Sequence, residues 1–231
     1  MPAPSRPTAG ARTTAAARLA VAAAAVSLTA AVSLTAAACG GTPSASRPAA
    51  AAASSPSGSA IRLDRPLPKP DLTLTDDQGR SFDLVERTAG HPVLMYFGYT
   101  HCPDVCPTTM ADIANAVKKL PEAEQRKLRV IFVTTDPARD TPKRLHAWLA
   151  AFDSRFVGLS GDFGAIQKAA RGLGIAVEKP EKNPDGSYDV THGAQVVVFS
   201  PSDDKVHMLF TSGTSTAQYS AELPEIIEGA P

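Results

Sequence analysis

Two apolar runs restrict the architectures open to this chain more than any other feature. They are Pro92-Val-Leu-Met-Tyr-Phe-Gly-Tyr99 and Leu128-Arg-Val-Ile-Phe-Val-Thr-Thr135. Each suits a strand buried on both faces, the pattern of a sheet covered by helices on either side. The segment between them has helical spacing. Pro107 can open a helix, because its missing N–H costs nothing in a first turn. Met110, Ile113, Ala114 and Val117 then recur on one face, and Pro121 stops the run. Strand, helix, strand implies parallel pairing through a crossover.

The flanking segments extend this pattern. Asp71 to Thr75 and Arg80 to Leu84 alternate in polarity around Asp76-Asp77-Gln78-Gly79, which predicts a β-hairpin. Thr141 followed by Pro142 predicts a helix start, with Leu145, Trp148, Leu149 and Phe152 facing inward. Phe156 to Leu159 predicts a short strand. A helix from Asp162 should follow, ended by Gly172 and Gly174, and then a short strand over Ile175 to Glu178. Asn183-Pro-Asp-Gly186 reads as a turn. Gln195 to Phe199 and Val206 to Phe210 form a hairpin around Pro201-Ser-Asp-Asp204, and a last helix covers Ser215 to Glu228. The order predicts an α/β fold: a thioredoxin-like mixed sheet flanked by helices, with an N-terminal β-hairpin. Sites in such sheets lie beyond the carboxyl ends of the strands. Cys102, Cys106 and Asp136 all fall there.

The chain has 231 residues and no net formal charge, yet the charge is unevenly spread. The first 61 residues hold four arginines and no acid, which leaves 19 basic residues against 23 acidic in the rest. No basic patch stands out, so nucleic acid is not an expected partner. Arg6, Arg12 and Arg18 precede an uninterrupted weakly apolar run from Leu19 to Ala38, the pattern of an export signal. Ala36-Ala37-Ala38-Cys39 resembles a bacterial lipobox, although Ala36 stands where Leu is commoner. Lipidation of Cys39 would tether the mature protein. Plain signal cleavage and an uncleaved membrane helix are the alternatives, since 20 residues just span a bilayer. All three place the folded part outside the cytoplasm. Gly, Ser, Ala, Pro and Thr fill almost all of Gly40 to Ala60, a composition expected of a flexible spacer. The expected organisation is a lipoprotein-type signal over 1–38, a lipid-anchored linker over 39–60 and a folded domain over 61–231.

Cys102 and Cys106 sit in Tyr99-Thr-His-Cys-Pro-Asp-Val-Cys-Pro-Thr-Thr109. A helix N-terminus beside them favours thiolate over thiol, which predicts reactive cysteines. Two thiolates are a soft donor pair suited to Cu(I) or Zn(II). A structural zinc site wants four ligands, and the chain has no second cysteine pair, so copper fits better. An imidazole would add an affinity for Cu(II). Among the five histidines, His91, His146 and His207 read as structural or surface residues. His192 and His101 rank first, and spacing alone does not separate them. Asp76, Asp77, Asp203 and Asp204 read as turn residues, and Lys118 and Lys119 as a solvated helix end.

Taken together, Gly98-Tyr-Thr-His-Cys-Pro-Asp-Val-Cys-Pro, then Val133-Thr-Thr-Asp-Pro-Ala-Arg-Asp-Thr-Pro142, then Val190-Thr-His-Gly-Ala-Gln resemble the Sco/SenC family. The resemblance runs from about Pro70 to the final helix. Members are membrane-tethered thioredoxin-fold proteins linked to assembly of the binuclear copper site of cytochrome c oxidase. The resemblance implies that Cys102 and Cys106 are a copper-binding, redox-active pair and that His192 is the third ligand. It also implies that Asp136 influences copper binding and thiol reactivity, while Arg139, Asp140, Thr141 and Pro142 complete the second motif structurally. Thr191 departs from the family, which usually has Asp before the histidine, and so removes one negative charge.

Two functional expectations follow. The first is a copper metallochaperone serving the copper-accepting subunit of the oxidase, with other extracytoplasmic copper carriers as further partners. The second is a thiol–disulfide oxidoreductase keeping that subunit's cysteines reduced. An inert structural disulfide is the bland alternative. A peroxidase lacks its usual Pro-x-x-x-Thr-x-x-Cys pattern here.

Overall fold

The computed structural model describes residues 59–184 and 188–229. The strands are β1 (Ala60–Pro68), β2 (Thr73–Asp76), β3 (Ser81–Asp83), β4 (Val93–Gly98), β5 (Arg129–Thr134), β6 (Val157–Ser160), β7 (Glu181–Lys182), β8 (Tyr188–Asp189), β9 (Val196–Phe199) and β10 (Lys205–Phe210). The helices are α1 (Leu84–Thr88), α2 (Val105–Val117), α3 (Glu122–Lys127), α4 (Pro142–Leu149), α5 (Phe163–Gly172) and α6 (Thr216–Glu228). Among the described residues one mixed sheet runs β1-β10-β9-β4-β5-β6-β2-β3, and β7 pairs with β8 apart from it. The expected α/β, thioredoxin-like arrangement is therefore the observed one.

The two apolar runs form the centre. β4 and β5 are parallel in register from Val93 opposite Arg129 to Gly98 opposite Thr134, and β6 continues the parallel set. β9 closes on the other side of β4, antiparallel. Alternation along these strands splits the core in two. Leu94, Tyr96, Val130, Phe132, Val196 and Val198 pack against α2, α4 and α6. Met95, Phe97, Ile131, Val133 and Val197 face α5 and the β2–β3 hairpin. A strand buried on both faces cannot show polar alternation, which explains the continuous runs.

The helix starts follow local chemistry. Thr141 caps α4 by accepting from Arg144 N–H, with Pro142 at the first helical position. Asp162 caps α5 through Ala165 N–H, and Ser215 with Gln218 forms a capping box on α6. Asp112 of α2 also accepts from the backbone and hydroxyl of Thr216, so the starts of α6 and the middle of α2 are tied. At the β2–β3 turn, buried Asp76 accepts from Gln78 and Arg80 N–H and from the Arg80 guanidinium.

Four features depart from the sequence expectations. The hairpin is preceded by β1, which pairs antiparallel with β10 at the sheet edge, Ala60 opposite Phe210. The helices α1 and α3 were not expected. Residues Ile175 to Glu178 form no strand, only a single bridge between Val177 and His192. β7 and β8 bracket the expected turn at Asn183, of which residues 185–187 lie outside the description.

Candidate metal centre

Cys102 and Cys106 occupy the junction between β4 and α2. Helix α2 begins at Val105, two residues before Pro107, so Cys106 is the second helical residue. The helix therefore starts half a turn before the expected Pro107, because proline is tolerated anywhere in a first turn. Asp104 precedes the helix without a side-chain capping bond. The Cys102 sulfur takes that place, accepting from Cys106 N–H at 3.4 Å. The sulfur of Cys106 points at the end of β4. A Cβ added to Gly98 would lie 2.9 Å from it, so only glycine leaves room for this approach.

The loop itself is anchored from below. Asp140, fully buried, accepts from Thr100 N–H at 2.9 Å, from Thr100 hydroxyl at 2.6 Å and from Thr134 hydroxyl at 2.7 Å. Arg144 Nε donates to the same Thr100 hydroxyl. The second sequence motif thus supports the first across the ends of β4 and β5.

His192 arrives 86 residues further on, just before β9. Its Nδ1 lies 3.0 Å from Gly193 carbonyl oxygen. A carbonyl only accepts, so Nδ1 carries the proton and Nε2 presents a lone pair. Nε2 lies 3.5 Å from Cys106 Sγ. Donor atoms of Cys102, Cys106 and His192 all fall within 4.8 Å of one another, the only such cluster of three among the described residues. Two rings hold the imidazole edge-on: Tyr96 at 5.9 Å between centroids and Tyr99 at 5.7 Å. An open cleft of about 310 Å³ bordered by Tyr99, Cys102, Val105 and Val190 to His192 leads to the cluster.

The two sulfurs differ electrostatically. Burial opposes ionisation of Cys102, yet backbone N–H groups of Cys106 and Asp104 overcome it and hold the thiol below its ordinary range. Cys106 has no exposed surface, and burial pushes its thiol up to about 12 despite a backbone hydrogen bond. The expectation of two activated cysteines is thus corrected: only Cys102 is activated. Proximity to a helix start does not offset full desolvation at Cys106. Burial also lowers the proton affinity of His192, partly offset by the Gly193 bond, so the imidazole favours the neutral, ligating form.

The other named residues are placed as follows. His101 turns away from the sulfurs, with Nδ1 3.3 Å from Thr100 hydroxyl and 3.5 Å from Asp140. Asp136 is fully buried beside the site but outside the donor cluster. It pairs with Arg139, whose guanidinium also stacks 3.9 Å over the Tyr188 ring, and among the described residues no hydrogen-bond partner reaches the Asp136 Oδ1. Thr191 is exposed at the cleft rim. His91, His146 and His207 serve elsewhere, at Lys127 carbonyl, Asp77 and Asp203. Cys39 lies outside the described residues. Sequence reasoning missed Tyr96, Tyr99 and Gly98, which an apolar run disguises as ordinary strand residues.

Comparison with known proteins agrees with this geometry. The SCO1/SenC family pattern matches residues 64–228. Protein SCO1 homolog 2 of Arabidopsis thaliana mitochondria is 39% identical over 109 residues, covering 47% of this chain and 40% of that longer protein. Apo Sco1 from Thermus thermophilus superposes with a TM-score of 0.63 at 34% identity, covering 72% of this chain and 95% of that one. Copper-bound ScoI of Bradyrhizobium japonicum gives 0.59 at 30% identity, covering 70% and 98%. With the family pattern spanning most of its length and its cysteine, cysteine and histidine gathered at one strand end, this chain belongs to the SCO1/SenC family.

Proposed function

We propose that Cys102, Cys106 and His192 bind one copper ion as cargo and deliver it to the copper-accepting subunit of cytochrome c oxidase. The observation that carries this is the clustering of two thiols and one imidazole within 4.8 Å. The set combines soft sulfur for Cu(I) with an imidazole that also suits Cu(II). Three protein ligands and an open cleft leave a position through which an incoming ligand can enter. Support also comes from the relative whose solved structure holds copper. The test is anaerobic titration of the reduced soluble domain with Cu(I) and Cu(II), repeated on His192→Ala. One equivalent of each should bind to the native domain, with a thiolate-to-Cu(II) charge-transfer band. Retention of full copper binding by Cys106→Ala would sink the reading.

A second reading is favoured by the unequal cysteines. Cys102 has the accessible, more acidic thiol and Cys106 the buried one, the arrangement of an attacking and a resolving cysteine. Cys102 thiolate would attack a partner disulfide and form a mixed disulfide. Cys106 would then displace the second partner thiol. Two electrons pass to the partner, and Cys102–Cys106 is left oxidised. His192→Ala separates the roles, because exchange should persist while Cu(II) binding fails.

For placement in the cell, the reading is export under residues 1–38, acylation of Cys39 and a tether to the folded domain. Among the described residues no helix is long and apolar enough to cross a membrane. Intact mass of the membrane-extracted protein tests it: a chain beginning at a lipid-modified Cys39 is expected, and a chain with unmodified Cys39 overturns it.

A further inference from the structure

Tyr96 heads the large side chains that are wholly buried, and it lies in the strand row facing α2. Its hydroxyl donates to Cys106 Sγ at 3.6 Å, and the Thr109 side chain is a second hydrogen-bond neighbour. Its ring meets His192 at 83°, edge to face. One side chain therefore touches two of the three donors, which lie 86 residues apart in the sequence. The neighbours of Tyr96 in its layer, Leu94, Phe132 and Val196, are hydrocarbon. Phenylalanine would fill the same space without a hydroxyl to satisfy, so packing alone does not account for the phenol.

We propose that Tyr96 is a positioning residue of the metal centre, its hydroxyl aiming the Cys106 sulfur and moderating its donor strength. This rests on the copper reading above. A thiol is a weak acceptor, and a thiolate bound to an ion is a strong one, so the bond tightens when Cys106 becomes a ligand. Drawing sulfur electron density toward the O–H lowers the energy of the sulfur lone pair. Hydrogen bonding around a ligating cysteine tunes a copper site in this way. The ring contributes separately by bracing His192 together with Tyr99.

Tyr96→Phe isolates the hydroxyl, since it keeps the ring. Native and variant domains are titrated with Cu(I), Cu(II) and Cd(II), the last a soft ion that reports thiolate ligation whatever the natural cargo. Removal of the hydroxyl should move the thiolate-to-metal band to lower energy and weaken Cu(I) binding about tenfold, as for loss of a hydrogen bond to a charged group. Alkylation of Cys102 in the metal-free variant should be unchanged. Identical bands and affinities would overturn the proposal. So would a changed Cys102 alkylation rate that tracks the lost affinity, which marks general loosening of the loop. A native Cd(II) band without copper binding would overturn the copper reading alone, leaving the Tyr96 comparison to be made with Cd(II). No thiolate band with any ion would overturn both.

Discussion

The cysteine loop and the histidine segment meet at one site but are built differently. The loop leaves a strand paired on both sides, runs through Thr100 on buried Asp140 and enters a helix whose first N–H groups already face Cys102. His192 hangs on a segment joined to the body by Glu178 N–H to Thr191 carbonyl at 3.0 Å and Gly193 N–H to Ala176 carbonyl at 2.7 Å. Its neighbours β7 and β8 are two residues long. Two donors are thus fixed by the core, and the third is braced mainly by two tyrosine rings and its own backbone bond. Preorganised thiols with a more lightly held imidazole suit the copper-delivery reading proposed above, in which an ion is taken up and passed on.

That contrast can be broken most severely at its rigid side. Cys106→Ala is expected to abolish stoichiometric Cu(I) and Cu(II) binding, measured by anaerobic titration. Asp140→Ala should destabilise the domain by about 2–4 kcal/mol in urea unfolding, because it strands Thr100 N–H and two buried hydroxyls. His192→Ala, on the lightly held side, should cost little stability and remove Cu(II) binding while Cu(I) stays on two thiolates.

Smaller tests sharpen the comparison. At neutral pH, mass mapping of alkylated protein should find Cys102 modified first, with Cys106 following only toward its raised value of about 12. His192 contributes a pH dependence with a definite sign. Its folded pKa lies below the ordinary imidazole value of 6.5, so its stabilising contribution is complete above 6.5 and is lost as pH falls through the lower folded value. His192→Gln should flatten that acid limb in stability measured against pH. The smallest effect is expected from Thr191→Asp, an exposed change that restores the commoner family charge. It should leave stability within about 0.5 kcal/mol and tighten Cu(II) binding about two- to fivefold, the scale of one surface charge contact.

Much of this was legible in the residues. The buried strands declared themselves because full burial removes alternation, and α4, α5 and α6 because Thr141, Asp162 and Ser215 are strong caps. β1 was hidden by Pro66, Pro68 and three charges, which an edge strand with shifted register between Arg62 and Leu67 tolerates. The strand expected at Ile175 to Glu178 failed because its only partner is one residue of the histidine segment. At the site, Cys102 and Cys106 were evident from spacing. The choice between His101 and His192 was not, because it depends on Asp140, a contact 40 residues distant from Thr100, drawing His101 aside. The buried, high-pKa state of Cys106 also needed the tertiary packing of α2 on β4.

The edge strand β1 carries one more implication. Ala60 is level with Phe210, Phe210 with Val196 and Val196 with Tyr96, so β1 begins in the row of the sheet that ends at the cysteines. Three strand spacings, about 14 Å, separate it from β4. The polypeptide therefore joins the domain on the same side as the metal centre. Under the lipid anchor proposed above, the tether would attach at the end of the sheet that holds Cys102, Cys106 and His192.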